Sequence, residues 1–331
     1  MSLMPDFVVP NTLALRSTSI RGAACQTIGD VRDAIADARR AQLPLRVIGE
    51  GSNVVASDRI ETAIAVNQIP GVDVLERTDE QVRLRVGAGV NWHYLVMHSL
   101  AEGWHGLENL ALIPGSLGAA PVQNIGAYGA ELSGFVARVD VVTRELEHRV
   151  LSRAECGFGY RTSVFQNRLD WVITGVELVL SRVPRVNLTY PEVANALTGV
   201  EAPQPQDVAQ VVIAIRRKKL PDPETDPNVG SFFRNPVVSE TLAVEIGQQI
   251  EGLVRYEVEA GVKLSAAQLI DRAGWKSKPG ARVSCWQTQP LILVNRGGAS
   301  AEDVLEFAER IRVDILQRYR VQLELEPSVL S

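Results

Sequence analysis

The sequence predicts an α+β protein of two or three domains. Three observations carry that expectation. The chain has 331 residues, which favours more than one domain. Segments of helical and strand periodicity alternate along it, with no internal repeat. A stiff stretch, Lys219-Leu220-Pro221-Asp222-Pro223, closes a long helix and marks a boundary near residue 220. With 46% hydrophobic and 22% charged residues, the chain has material for an ordinary globular core.

The first elements are a helix and a strand over 27–55. Thr27 caps the helix with Asp30 three residues on, and Val31, Ala34, Ile35 and Ala38 form one apolar stripe. Pro44 ends the connection, and Leu45-Arg46-Val47-Ile48 reads as a strand running into Gly49-Glu50-Gly51-Ser52-Asn53. Short strands separated by turn signals such as Pro70-Gly71 fill 63–90. Glycine density peaks between Gly115 and Gly134, and strand-like segments follow at 136–143 and 171–180. A helix then runs from Gln206 to Lys219, with Val208, Val211, Val212 and Ile215 at helical spacing. Arg216, Arg217, Lys218 and Lys219 occupy its last turn, where cations suit the helix dipole, and Pro221 stops it. Beyond the boundary come a helix near 265–273, a strand at Leu291–Asn295, a helix from Ala301 to Tyr319 and a strand near 321–326.

Composition excludes several classes of function. A net charge of −5 gives no global field for nucleic acid or anionic membrane, and the 216–219 cation run has no interleaved aromatics. Cys25, Cys156 and Cys285 are odd in number and widely spaced, so neither a disulfide framework nor a thiolate metal site is expected, and a reducing compartment fits. His93, His98, His105 and His148 lack metal-ligand spacing and read as packing or surface residues. The start shows no basic stretch leading into an apolar core, so it does not read as a signal peptide. No apolar run approaches the ~20 residues that span a bilayer. A soluble, cytoplasmic protein is expected.

Two glycine-bearing segments invite a phosphate. Gly49-Glu50-Gly51-Ser52-Asn53 follows a strand, but a dinucleotide fold fails on context: Val54 replaces the third glycine, and Val54-Val55-Ala56 does not open a helix. What remains is either a bare turn or a nest of N–H groups facing a pyrophosphate, with Ser52 and Asn53 as added donors. The longer segment, 103–129, has no lysine, so a pyrophosphate there must be solvated by main-chain N–H groups at close range. Pro114-Gly115-Ser116, Gly118, Ala119 and Ala120 offer small residues for such an approach. Gln123 and Asn124, with Ile125 leading into the turn Gly126-Ala127-Tyr128-Gly129, can meet the polar edges of a ligand's ring.

Five motifs in order make the chain recognisable. They are Val86-Gly87-Ala88-Gly89-Val90-Asn91-Trp92, the 106–129 segment, Gly159-Tyr160-Arg161-Thr162-Ser163, Gly230-Ser231-Phe232-Phe233-Arg234-Asn235-Pro236 and Leu323-Glu324-Leu325-Glu326. Together they resemble the UDP-N-acetylenolpyruvoylglucosamine reductase (MurB) family, over roughly residues 10–330. The resemblance implies a vanillyl-alcohol-oxidase/PCMH-type FAD-binding fold in two subdomains, 1–65 and 66–219, the second joined by the C-terminal strand 320–331. It implies an α/β substrate-binding domain at 220–319. The implied reaction is NADPH-dependent reduction of UDP-N-acetylglucosamine enolpyruvate to UDP-N-acetylmuramate in peptidoglycan biosynthesis. It further implies non-covalent FAD held by 49–53 and by Pro114–Gly129, a monomeric enzyme, and neither metal, nucleic acid nor membrane as partner.

Arg161, Ser231 and Glu326 match the family's catalytic positions, and the chemistry suits them. Hydride added to the enolpyruvyl methylene leaves negative charge on the neighbouring carbon and its carboxylate. A guanidinium stabilises that charge without titrating. Ser231 is the candidate proton donor. Glu326 orients the carboxylate, with Glu324 as the alternative register. Lys219, Asn235 and Gln289 match substrate contacts, and Tyr190 matches the tyrosine on a substrate-covering loop found in one subgroup. Two other readings stand beside this one: a different FAD-dependent oxidase of the same fold, and a non-catalytic flavin- or sugar-nucleotide-binding scaffold.

Overall fold

A computed structural model describes residues 2–278 and 282–331. The chain divides into two compact units. The first comprises Met1–Val8, Ser19–Glu50 and Glu61–Lys218, and the second Val9–Thr18, Gly51–Ile60 and Lys219–Ser331.

In the first unit, a four-stranded sheet has the order Met4–Val8, Thr18–Cys25, Arg59–Asn67, Leu45–Ile48. The last two strands run parallel, joined through the 49–53 turn and the short strand Val54–Ala56. Helix Ile28–Arg40 starts at Thr27 with a full capping box to Asp30. Its predicted stripe, Val31, Ala34, Ile35 and Ala38, is buried against Ala23, Ala63 and Ala65 of the sheet. Each such apolar side chain contributes about 1.5–3 kcal/mol when removed from water.

A second sheet is wholly antiparallel, with the order His148–Ser152, Val136–Val142, Val172–Ser181, Gln81–Gly87, Val72–Arg77. Alternate residues Val82, Leu84 and Val86 point into the largest core, which also holds Val139, Val141, Val176 and Leu178. Helix Trp92–Ala101 contributes Trp92, Leu95, Val96 and Leu100 to that core, and helix Pro205–Lys219 contributes Val208, Ala209 and Val212.

The second unit holds two three-stranded antiparallel sheets. One has the order Asn228–Ser231, Ile292–Asn295, Val283–Cys285, and the other Val237–Val238, Gly261–Leu264, Arg255–Val258. Helices Glu240–Gln249, Ala266–Arg272 and Ala301–Tyr319 accompany them. The last begins with a Ser300/Asp303 capping box and buries Val304, Phe307, Ala308, Ile311 and Ile315. It ends where Arg320 turns left-handed at φ 57°.

The α+β class is as expected, and one element is displaced. No strand forms at 321–326. The chain there is extended with Val321 and Leu323 buried, yet its carbonyls find other donors. Leu323 O accepts from Arg312 Nε, and the pairing is limited to one antiparallel bridge, Phe233 with Leu325, closed by Arg234 N to Glu324 O and Glu326 N to Phe232 O. The strand forms instead at Ser328–Leu330, past Pro327, and pairs in parallel with Val54–Ala56. The 320–331 segment clusters with the second unit.

Candidate functional site

The first unit brings the 110–129 loop, the 49–50 turn and the Arg161 turn together. The loop is pinned at successive peptides by the start of helix Trp92–Ala101. Trp92 Nε1 donates to Leu110 O at 2.8 Å, Trp92 N to Gly115 O at 2.9 Å, and Leu112 N donates to His93 Nδ1 at 3.0 Å. Leu117 N and Gly118 N donate to Val90 O and Ala88 O. From the far side, Arg216 Nε donates to Leu112 O at 3.2 Å. Burial, with Arg217 and Arg216 nearby, holds His93 below the usual imidazole range, which suits a neutral acceptor.

These bonds determine what the loop leaves free. The N–H groups of Leu117, Gly118, Ala119 and Ala120 are committed to main-chain carbonyls of the fold, because the loop is a series of tight turns whose own bonds consume them. Gly118 is small for a similar reason: a Cβ there would lie 2.7 Å from Ala88 Cβ, against protein rather than ligand. What the loop presents instead is Ser116, whose buried Oγ has no partner among the described residues. Gly49 lies against it, since a Cβ on Gly49 would fall 2.1 Å from Ser116 Oγ. Glu50 accepts from Asn91 Nδ2 at 2.7 Å, tying the turn to the same helix start.

An unpartnered hydroxyl beside a glycine that no side chain could replace fits a phosphate acceptor in a narrow cradle. FAD is the group these residues fit. Pro114 is exposed, Gly115 is buried, and Ala119 is exposed at the loop's outer edge.

The Asn124 side chain is fully buried. Its Nδ2 donates to Glu131 Oε2 and Gly159 O, both at 3.1 Å, and its Oδ1 accepts from Ser133 N. These bonds fasten the loop to the turn that carries Arg161. Gln123, Ile125 and Ala127 are half-buried, and Gly126-Ala127 pairs with Ala130-Glu131 as a short hairpin.

Arg161 sits at φ 54° and donates from Nη2 to Gly126 O at 2.6 Å. A Cβ on Gly126 would lie 3.1 Å from Arg161 Nη1, so glycine admits the guanidinium. Gly129 O accepts from Asn187 Nδ2 at 3.0 Å. Tyr190 stands at the start of the short helix Pro191–Ala196, and its ring meets Tyr128 edge-on at 5.1 Å.

The second unit brings Ser231, Glu326 and the 49–53 turn's later half together. Glu326 N donates to Phe232 O at 3.0 Å, and Phe233 bridges Leu325. Asn53 Nδ2 reaches Glu326 O at 3.4 Å. The Glu324 carboxylate is exposed and lies near Arg234 at 3.9 Å. Thr12 N donates to Gly51 O, and Ser52 is half-buried in the turn. Ser231 pairs with Ile292, whose N–H donates to Gln289 O. Asn235 Oδ1 accepts from Ala266 N, and Lys219 O accepts from Thr288 Oγ1 at 2.5 Å. Three buried polar atoms in this unit, Arg234 Nε, Trp286 Nε1 and Gln289 Oε1, have no partner among the described residues.

Sequence reasoning passed over His93, Arg216, Arg234 and Trp286. The first two were read as a packing or surface residue and a dipole charge, yet both bond the Leu112 peptide. Among the described residues no His, Cys, Asp and Glu cluster could hold a metal ion, and no helix is long and apolar enough to cross a membrane.

Comparison with known proteins fixes the family. A model of the C-terminal domain of UDP-N-acetylenolpyruvoylglucosamine reductase matches residues 222–330, and an FAD binding domain model matches 22–150. The UDP-N-acetylenolpyruvoylglucosamine reductase of Pseudomonas fluorescens strain Pf0-1 is 42% identical over 311 residues, covering 92% of each chain. That of Alcanivorax borkumensis is 40% identical over 332 residues, covering 98% of this chain and 95% of its own. The crystal structure of the Thermus caldophilus enzyme is alike in fold, with a TM-score of 0.66 over 97% of this chain and 96% of that one at 23% identity. Identity at this level across nearly the whole length leaves one assignment: the chain belongs to the UDP-N-acetylenolpyruvoylglucosamine reductase family of FAD-dependent oxidoreductases.

Proposed function

We propose that the chain reduces UDP-N-acetylglucosamine enolpyruvate to UDP-N-acetylmuramate with NADPH, for peptidoglycan synthesis in the cytoplasm, acting as a monomer. The observation that carries this reading is the 42% identity to reductases of that name over nine-tenths of both chains. In this reading 1–65 and 66–219 hold the flavin and 220–319 the sugar nucleotide.

Bound FAD supplies a two-electron relay from the nicotinamide to the enolpyruvyl group. The residues of the chain supply everything else. Arg161, anchored by its bond to Gly126 O, holds a fixed positive charge for the carboxylate as electrons accumulate there. Ser231 gives its hydroxyl proton to the carbon next to that carboxylate. Glu326, held at its backbone by Phe232 and Asn53, orients the carboxylate. Lys219, Asn235 and Gln289 grip the diphosphate and sugar, and Tyr190 closes over them. The unpartnered Gln289 Oε1 supports this, since a buried polar atom is ordinarily satisfied by something.

The test is anaerobic stopped-flow absorbance of the flavin band. NADPH should bleach it, and the enolpyruvyl sugar should restore it. Ser231→Ala should spare the bleaching and slow the return about 10²–10⁴-fold. A band that recovers in air but not with the sugar would mean an oxidase instead.

A further inference from the structure

Arg216 lies in the last turn of helix Pro205–Lys219, where a cation ordinarily points to water and answers the dipole. It does neither. The side chain is folded inward with two acceptors in reach, Leu112 O at 3.2 Å from its Nε and the phenol of Tyr128. Its neighbour Arg217 stays exposed. Leu112 precedes the Pro114–Ser116 stretch that faces the cofactor, and its N–H is already held by His93. Tyr128 closes the other end of the same loop and carries the Tyr190 ring on its edge at 5.1 Å. Both Leu112 and Tyr128 are left-handed, at φ 60° and 47°.

We propose that Arg216 is a positioning residue: its planar guanidinium ties the start of the flavin loop, at Leu112, to Tyr128, and so fixes the face on which Tyr190 docks. A guanidinium suits this role because its fork holds two acceptors at a set angle, which a single ammonium does not. Arg216 thereby links cofactor grip to closure over substrate. The second half of this inference rests on the function proposed above.

The experiment compares Arg216→Met, Arg216→Lys and the exposed control Arg217→Ala. FAD affinity is read by fluorescence quenching on apoprotein, and KM and kcat for the enolpyruvyl sugar at saturating FAD. Arg216→Met should weaken FAD about tenfold, some 1.4 kcal/mol. It should raise KM about tenfold while kcat stays within about twofold. Arg216→Lys should recover part of one loss, and Arg217→Ala should match wild type. Tyr128→Phe keeps the ring and cuts the link from its other end. It should reproduce the rise in KM, and in the double variant with Arg216→Met add nothing to it.

Unchanged FAD affinity and KM in Arg216→Met overturn the proposal, as does a fall in kcat alone. Additive effects in the double variant also overturn it. If Arg216→Met does not fold, Tyr128→Phe and Arg216→Lys decide by the same KM split. Wild-type protein that ignores the sugar defeats the functional reading, and the FAD arm then still tests Arg216 by itself.

Discussion

Replacing Gly49 with alanine probes the cofactor cradle at its tightest point. The added Cβ lands 2.1 Å from Ser116 Oγ, 3.2 Å from Ser116 Cβ and 3.7 Å from Ser116 N. The hydroxyl overlap is relieved by rotating Ser116, but the Cβ–Cβ distance stays short whatever the rotamer, so the backbone must give. Overpacking of this kind costs about 1–3 kcal/mol. Against it, alanine gains about 0.4–1 kcal/mol by restricting the unfolded chain. The net expectation is a loss of about 1–2 kcal/mol, felt at Ser116. A melting curve of a two-unit chain spreads such a loss over more than one transition. FAD binding to apoprotein is the sharper assay, and should weaken roughly 5- to 30-fold. Ser116→Ala alone removes one contact. Together with Gly49→Ala it also removes the worst overlap, so the pair should fall short of additivity by about 0.5 kcal/mol or more. Wild-type affinity in Gly49→Ala, or strict additivity in the pair, refutes the reasoning.

Three other outcomes are expected. His93 titrates at 6.5 when unfolded and lower in the fold, so the native chain binds fewer protons. Its contribution is present above pH 6.5 and is lost as the pH falls through that value and the folded one. His93→Gln, which keeps an acceptor for Leu112 N, should flatten the urea-stability profile between about pH 7.5 and 5.5; an unchanged slope counts against the assignment. Asn124→Ala strands Ser133 N and takes a donor from Glu131 Oε2, costs about 1–3 kcal/mol, and should lower kcat more than it raises KM, as steady-state kinetics will show. Phe232, fully buried and edge-on to Phe233 at 5.5 Å, should cost about 3–5 kcal/mol as Phe232→Ala, measured by denaturant unfolding; Phe232→Leu should recover most of it.

The sequence made some of this legible because the relevant signals are local. Thr27 and Asp30 are three residues apart, and their capping box forms as read. The stripe of helix Pro205–Lys219 and the stop at Pro221 needed only periodicity. Helix Trp92–Ala101 went unread because apolar residues surround it: Tyr94 and Met97 are exposed while Leu95 and Val96 are buried, so no stripe stands out. Roles set by distant partners were beyond a single sequence. His93 meets Leu112 across 19 positions and Arg216 meets it across 104, and nothing in either neighbourhood announces the contact. Gly118 makes room for Ala88, thirty positions earlier, a packing neighbour that no local spacing names.

The backbone of the first unit's site shows why those distant side chains are needed. Leu112, Asn124, Tyr128 and Arg161 are left-handed without being glycine, at φ 60°, 43°, 47° and 54°. Each such residue costs roughly 1–3 kcal/mol unless its surroundings insist on it. A left-handed residue also turns its peptide out of any regular ladder, so its polar groups need partners from elsewhere. Side chains provide them in three of the four cases. Leu112 is held by His93 and Arg216, Tyr128 O by Asn109 Nδ2 at 2.8 Å, and Arg161 O by Gln166 Nε2 at 2.9 Å. Asn124 N instead donates to Pro121 O at 3.3 Å. A loop so over-determined pays its ordering cost on folding rather than on binding. In the function proposed above, that places the guanidinium of Arg161 and the hydroxyl of Ser116 before any ligand arrives, which is the condition under which fixed charges and dipoles stabilise a transition state.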